Sequence, residues 1–184
     1  MVNDADSYRR YLKGDDQGLV EIIERYHYGL TLFINTMVNN ICLAEELTEE
    51  CFFIIAINKP SYKDSGHFKT WLYSIAKHCT VDYIRHNSKV TYVPTDEALQ
   101  LSDEVDIERN YIKEEQKAEL HRALKKLRPE YRQVLYLVFF ENFSTMEIGK
   151  IMKKNKKQIG NLLYRAKAAL KNELDRGGFE YVGY

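Results

Sequence analysis

Residues Ser144 to Leu174 constrain this chain more than any other stretch. Ser144-Thr145-Met146-Glu147 places a small hydroxyl three residues before a carboxylate, the spacing of a capping box that opens a helix. Ile148, Ile151 and Met152 give that helix an apolar side, and Lys153-Lys154-Asn155 interrupts it. Asn155 followed by Gln158 offers a second capping box, after which Ile159, Leu162, Leu163, Ala166, Leu170 and Leu174 recur at helical spacing. Two helices joined by so short a turn must cross steeply, which predicts a helix-turn-helix.

Charge indicates what the second helix faces. From Ser144 to Lys171 there are eight bases and one acid, a net +7 in a chain whose formal total is zero. Lys157, Asn161, Tyr164, Arg165 and Ala168 project away from the apolar stripe, and Lys156 and Gln158 occupy the first turn. Asn and Gln pair with adenine edges, Arg with guanine, and Lys mainly with phosphate. A solvated basic helix would share this charge but would not require two capped helices around a short turn, so DNA binding is the expectation. Gly160 inside the helix costs about 1 kcal/mol relative to alanine and would admit a sugar-phosphate backbone at close range.

The chain of 184 residues could form one large or two small domains. Its longest apolar runs, Phe52 to Ile57 and Val134 to Phe140, are far shorter than a membrane span, and its acidic start resembles no export signal. Membrane insertion is therefore not expected, and a cytoplasmic location is. Cys42, Cys51 and Cys79 are odd in number and widely spaced, which reads as buried thiols rather than a disulfide framework or metal knuckle. No nucleophile-base pair, phosphate loop or metal-ligand spacing stands out, so neither an enzyme nor a cofactor is expected.

Taken in order, Asp15 and Asp16 are candidate caps for a helix running to about Asn39 or Asn40. A second helix spans about Leu43 to Ile57, with Leu47, Cys51, Ile54 and Ile55 inward. Its first half carries Glu45, Glu46, Glu49 and Glu50 and no base. Helix physics leaves two readings open: partners of the helix macrodipole, or a face that docks a basic protein. A loop from Asn58 to Gly66 contains Tyr62 and Lys63. A third helix, about His67 to Arg85, draws core contacts from Trp71, Leu72, Ile75, Ala76, Val81, Tyr83 and Ile84. Its bases and aromatics suit single-stranded DNA, although Trp71 reads as core. Between Thr95 and Glu108 stand six acids and no base. Such a segment has little reason to fold alone and reads as a linker. A helix from about Glu108 to Leu127 follows. Pro129 opens another that ends near Asn142, with Phe139 and Phe140 buried, and Gly177-Gly178 ends the last.

Three blocks, in this order and with a linker between the second and third, resemble the small extracytoplasmic-function (ECF) sigma factors of bacterial RNA polymerase, in the sigma-70 family. They are Leu43 to Phe52; Phe68 to His78 with Asp82-Tyr83-Ile84-Arg85; and Phe143-Ser144 through Lys167. The resemblance implies an all-α fold of two helical domains. A sigma2-like domain of three to four helices (1–88) would be joined by a flexible acidic linker (89–107) to a sigma4-like helix-turn-helix domain without a wing (108–176), leaving a tail (177–184). It implies that Glu45, Glu46, Leu47, Glu49 and Glu50 dock on core RNA polymerase. Tyr62, Lys63, Lys69, Ile75, His78, Asp82 and Arg85 would bind the melted −10 element, part of them surrounding a flipped base. Lys156, Lys157, Gln158, Asn161, Tyr164 and Arg165 would bind the −35 element. Promoter DNA and an anti-sigma factor are the further partners implied. The chain departs from the family pattern at Leu43 (commonly Asp), His78 (commonly Asn), Lys153 (commonly Gly) and Asn155 (commonly Pro or Ser). The alternative is a stand-alone helix-turn-helix regulator, which would leave the acidic helix and the basic aromatic helix idle.

Overall fold

The computed structural model describes residues 3–63, 67–87 and 119–177, and these are helical with short connections. The elements are α1 (Asp4–Leu12), α2 (Gln17–Val38), α3 (Ile41–Asn58), α4 (Phe68–Asn87), α5 (119–126), α6 (Pro129–Phe139), α7 (Thr145–Met152) and α8 (Lys156–Gly177). The acidic segment predicted as a linker, the start of the helix predicted from Glu108, and the tail after Gly177 lie outside the described residues.

The sequence reading assigns no element before Asp15, yet α1 is there. Asn3 caps it by accepting from the Ala5 N–H, Asp4 and Asp6 occupy its first turn, and Arg9 and Arg10 its last. That arrangement complements the helix dipole at both ends. Its buried face holds Tyr8 and Tyr11, whose hydroxyls donate to the Pro60 and Ala56 carbonyls at 2.7 Å each. Burial, and secondarily Tyr11, push the Tyr8 phenol up to about 12, so it remains a donor at any physiological pH. Through these two bonds α1 holds the last turn of α3 and the loop that follows it toward α4.

Helix α2 is the hub, packing on α1, α3, α4 and α6. Asp15 rather than Asp16 serves its N-terminus, accepting from the Gln17 N–H at 3.1 Å. Asn39, at φ +52°, ends α2, and Asn40 caps α3 by accepting from the Leu43 N–H. One Asn pair thus closes one helix and opens the next, so α3 starts two residues earlier than predicted. Ile22, Leu30, Phe33 and Ile34 of α2, Leu47 and Ile55 of α3, and Leu72 and Tyr73 of α4 form the fully buried centre.

In the C-terminal half Pro129 opens α6 as predicted, and Val134, Leu135 and Leu137 are buried. Phe139 and Phe140 are exposed instead, because α6 ends at Phe139 and the chain turns away through Asn142 at φ +56°. Val81 and Ile84 of α4, expected in the core, are also exposed, on the half of that helix beyond its packed face. Cys42 is exposed as well, whereas Cys51 is buried and Cys79 half-buried, the last two thiols meeting between α3 and α4.

Both predicted capping boxes form. Ser144 and Glu147 exchange side-chain and backbone bonds at the start of α7, and Asn155 and Gln158 do so at 2.8 Å in each direction before α8. Burial alone would raise the Glu147 carboxyl. Ser144's hydroxyl and N–H, with Thr70 and His67, outweigh it and hold the group below the usual carboxylate range. A depressed folded-state pKa contributes stability above the unfolded value and loses it as pH falls through the folded one. Ser144→Ala is expected to cost about 1 kcal/mol at neutral pH, roughly 2–4 °C in Tm, with the deficit narrowing as the carboxyl protonates. Thermal melts from pH 7 downward check this; a deficit independent of pH would remove Glu147 from the account.

Candidate nucleic-acid interface

Helices α7 and α8 are joined through Lys153, Lys154 and Asn155, and Lys153 lies at φ +52°. A left-handed residue there explains why glycine suits the position; lysine occupies it with a backbone penalty. Gly149 admits the close crossing of the two helices, since a Cβ on it would meet the Lys154 carbonyl oxygen at 2.7 Å. Ile159, Leu162 and Ala166 anchor α8, with α6 and α7 packed against it. The opposite face presents Lys156, Lys157, Gln158, Asn161, Tyr164 and Arg165, every one exposed, with Tyr164 at 77%. Gln158 Oε1 is held by the Asn155 N–H, so its amide nitrogen is the group left to reach a base. A Cβ on Gly160 would touch nothing within 4 Å, so that part of the face is open to a phosphodiester chain.

The second candidate surface is α4 with the loop before it. Tyr62, half-buried, packs on Phe68 and Trp71 at ring distances of 5.4 and 5.5 Å, and Tyr8 closes the cluster from α1. Trp71 is therefore a half-buried member of an aromatic core, which holds Tyr62 at the head of α4 beside exposed Lys63. Further along, Asp82 carries His78 on one oxygen at 2.9 Å and Arg85 on the other at 3.3 Å. These three polar candidates thus lie in one line along an exposed edge, near half-buried Ile75. Lys69 is the exception. Its ammonium is turned to the C-terminal half, on the Glu141 carboxylate at 2.8 Å and its carbonyl at 2.9 Å.

On α3, Glu45, Glu46, Glu49 and Glu50 are all exposed. Leu47 is not: at 2% exposure it is a core residue facing away from them, so it cannot touch a partner on this face. The sequence reading missed Phe53 and Ile57, both 63% exposed, which continue the face at four-residue steps from Glu49. That spacing was the available signal. Among the described residues no group of three His, Cys, Asp or Glu could hold a metal, and no helix is long and apolar enough to cross a membrane.

These features define a helical DNA-binding protein built from a helix-turn-helix half and a second half that carries an acidic and a basic helix. Comparison with known families gives the same division. Residues 22–90 match the model "Sigma-70 region 2" and residues 117–170 the model "Sigma-70, region 4", together more than half of the chain. The ECF RNA polymerase sigma factor SigW of Bacillus subtilis (strain 168) is 27% identical over 171 residues, 88% of this chain and 91% of the relative. SigM of the same organism, also an ECF sigma factor, is 27% identical over 157 residues, 85% and 95% respectively. The sigma factor RpoE from Bartonella quintana, solved with the anti-sigma factor NepR, shares the fold at a TM-score of 0.67 and 16% identity, over 84% of this chain and 95% of that one. The chain belongs to the sigma-70 family, in its extracytoplasmic-function branch: it is an alternative sigma factor that directs promoter recognition.

Proposed function

We propose that the chain binds core RNA polymerase through the acidic face of α3, reads the −35 element with α8, and captures melted −10 DNA with α4 and the loop before it. The division into a sigma2-like part up to residue 88, a linker to 107 and a sigma4-like part to 176 belongs to the same reading. The observation that carries it is the separation of charge: four exposed carboxylates on α3 and a recognition face of Lys156, Lys157 and Arg165 on α8, within one neutral chain. A single surface for DNA would need no such acidic face.

In this reading the protein is a binding subunit, not an enzyme. Phosphate contacts from Lys156 and Lys157 supply salt-sensitive affinity, whereas Arg165, Asn161 and Gln158 read base edges. Tyr62, Lys63, Ile75, His78, Asp82 and Arg85 hold the unpaired strand, and Lys69 joins them when Glu141 releases it. Core polymerase places its work in the cytoplasm. An anti-sigma factor is a further partner, supported by the fold shared with the RpoE complex.

The test is run-off transcription with purified core polymerase and fragmented genomic DNA. Discrete start sites that need this protein support the reading. Specific binding to duplex DNA without any polymerase complex would favour a stand-alone regulator. At a mapped promoter, Arg165→Ala is expected to weaken −35 duplex binding by roughly 1–3 kcal/mol and relax sequence preference, with polymerase affinity unchanged. A fall in polymerase affinity instead would remove α8 from the DNA.

A further inference from the structure

We propose that Cys51 and Cys79 form a peroxide-sensitive dithiol, whose oxidation joins α3 to α4 by a disulfide and lowers promoter opening. The effect on promoters rests on the sigma-factor reading above; the disulfide itself does not. Helices α3 and α4 pack on each other. Cys51 stands one turn from Leu47 and one from Ile55 on the buried stripe of α3, at 1% exposure. Cys79 lies between half-buried Ile75 and Tyr83 at the margin of α4, beside the fully buried Thr80. The two thiols share a hydrogen bond across the helix pair. One sulfur is thus enclosed in the core, and the other is reachable from solvent. Cys42 is placed differently: it is exposed at the start of α3, about 13.5 Å from Cys51 along the helix at 1.5 Å per residue.

The pairing divides the chemistry between the two sulfurs. The Cys51 thiol donates to Cys79, which holds the Cys79 thiol below its usual value although burial, Glu50 and Asp82 all oppose this. The same bond, with burial second, pushes the Cys51 thiol up. A thiolate is the nucleophile toward peroxide, so Cys79 reacts first and Cys51 resolves. The Cys79 thiolate attacks one oxygen of hydrogen peroxide and the O–O bond breaks. The leaving hydroxide takes up the proton that Cys79 gave up and becomes water, and Cys79 is left as a sulfenic acid. The Cys51 sulfur then attacks the Cys79 sulfur, its S–H proton passes to the departing hydroxyl, and a second water leaves as the S–S bond forms. The two thiols together lose two electrons, and peroxide gains them. Bond formation draws the sulfurs inside van der Waals contact, so α4 must shift toward α3 at Cys79. His78 is the preceding residue, and Asp82, which holds both His78 and Arg85, lies one turn on. The shift therefore falls on residues read above as holding the unpaired −10 strand.

Full-length protein exposed to hydrogen peroxide, alkylated and digested should yield one linked pair of peptides, carrying Cys51 and Cys79, with Cys42 alkylated. The cross-link closes a loop of 27 intervening residues, so the oxidised chain should melt roughly 5–10 °C above the reduced one, reversibly with dithiothreitol. Trapping with dimedone separates the roles: Cys51→Ser should accumulate sulfenic acid on Cys79, whereas Cys79→Ser should leave Cys51 unmodified. Circular dichroism verifies that both variants stay helical, and the wild-type peptide map needs neither of them. With peroxide removed before core polymerase is added, the oxidised protein should give at least fivefold less run-off transcript. Dithiothreitol should restore it, and Cys79→Ser should be insensitive to peroxide. Absence of the linked pair, principal products linked through Cys42, or a verified disulfide that leaves the transcript unchanged would each overturn the proposal. No transcript from reduced wild type, beside the expected peptide map, would instead overturn the sigma-factor reading.

Discussion

Replacing Glu49 and Glu50 together with lysine is expected to lower affinity for core RNA polymerase by two orders of magnitude or more. Like charges brought together in an interface cost several kcal/mol, and two carboxylates are reversed at once. Of the two readings that helix physics leaves open, the position of these acids weighs against the macrodipole. Macrodipole stabilisation fades beyond the first turn of a helix. Helix α3 begins at Ile41 and has no acid in its first turn, so Glu49 and Glu50 lie in its third, beyond the reach of that effect. Both are exposed, and surface substitutions away from caps and ion-pair networks usually change stability by no more than about 0.5 kcal/mol. The double variant should therefore melt within a few degrees of wild type and bind −35 duplex DNA unchanged, while failing to assemble with polymerase. Fluorescence anisotropy against core enzyme, beside a thermal melt, checks both halves. Lost stability with intact polymerase binding would return the two carboxylates to a structural role.

The parts of the molecule that were legible in the sequence are those fixed by local chemistry. Ser144 with Glu147 and Asn155 with Gln158 are short-range hydrogen-bond patterns, and both caps form as the spacing requires. The exposed face of α8 follows from its stripe, because Ile159, Leu162 and Ala166 can turn inward only if Lys157, Asn161 and Arg165 turn out. Helix α1 was missed for a different reason. Its buried set is Ala5, Ser7, Tyr8 and Tyr11, and the two tyrosines, which look amphipathic in sequence, become core because Pro60 and Ala56 supply carbonyls for their hydroxyls.

Apolar residues near helix ends misled in the same way. Phe139, Phe140, Val81 and Ile84 are as hydrophobic as their neighbours, but α6 ends and α4 runs past its packing partners, so they stay largely exposed. Leu47 shows the converse: within a block that resembles a polymerase-binding helix, only the acids face outward. The contact between Lys69 and Glu141 spans 72 positions and has no local signature at all. Tertiary packing alone places those two charges together, and with them the contact between the halves.

Phe33→Ala should be the most destabilising single truncation in the chain. The ring is fully buried on α2, 5.2 Å from Tyr73 of α4 and 6.4 Å from Tyr136 of α6, so it serves the cores of both halves at once. Truncating a buried phenylalanine costs about 3–5 kcal/mol, against a total stability that is typically 5–15 kcal/mol. For a chain of this length that corresponds to a fall in Tm of roughly 6–20 °C. Val134→Ala, which also empties a fully buried position but lies in α6 among the C-terminal helices, provides the comparison. If the halves are coupled through α2, Phe33→Ala should loosen the helix-turn-helix half as well, raising amide exchange in α6 and α7 along with α2 and α4. Val134→Ala should act mainly on α6, α7 and α8. Exchange confined to α2, α3 and α4 in Phe33→Ala would mean that the two halves unfold independently, and that the contact through Tyr136 and Glu141 adds nothing to the stability of either.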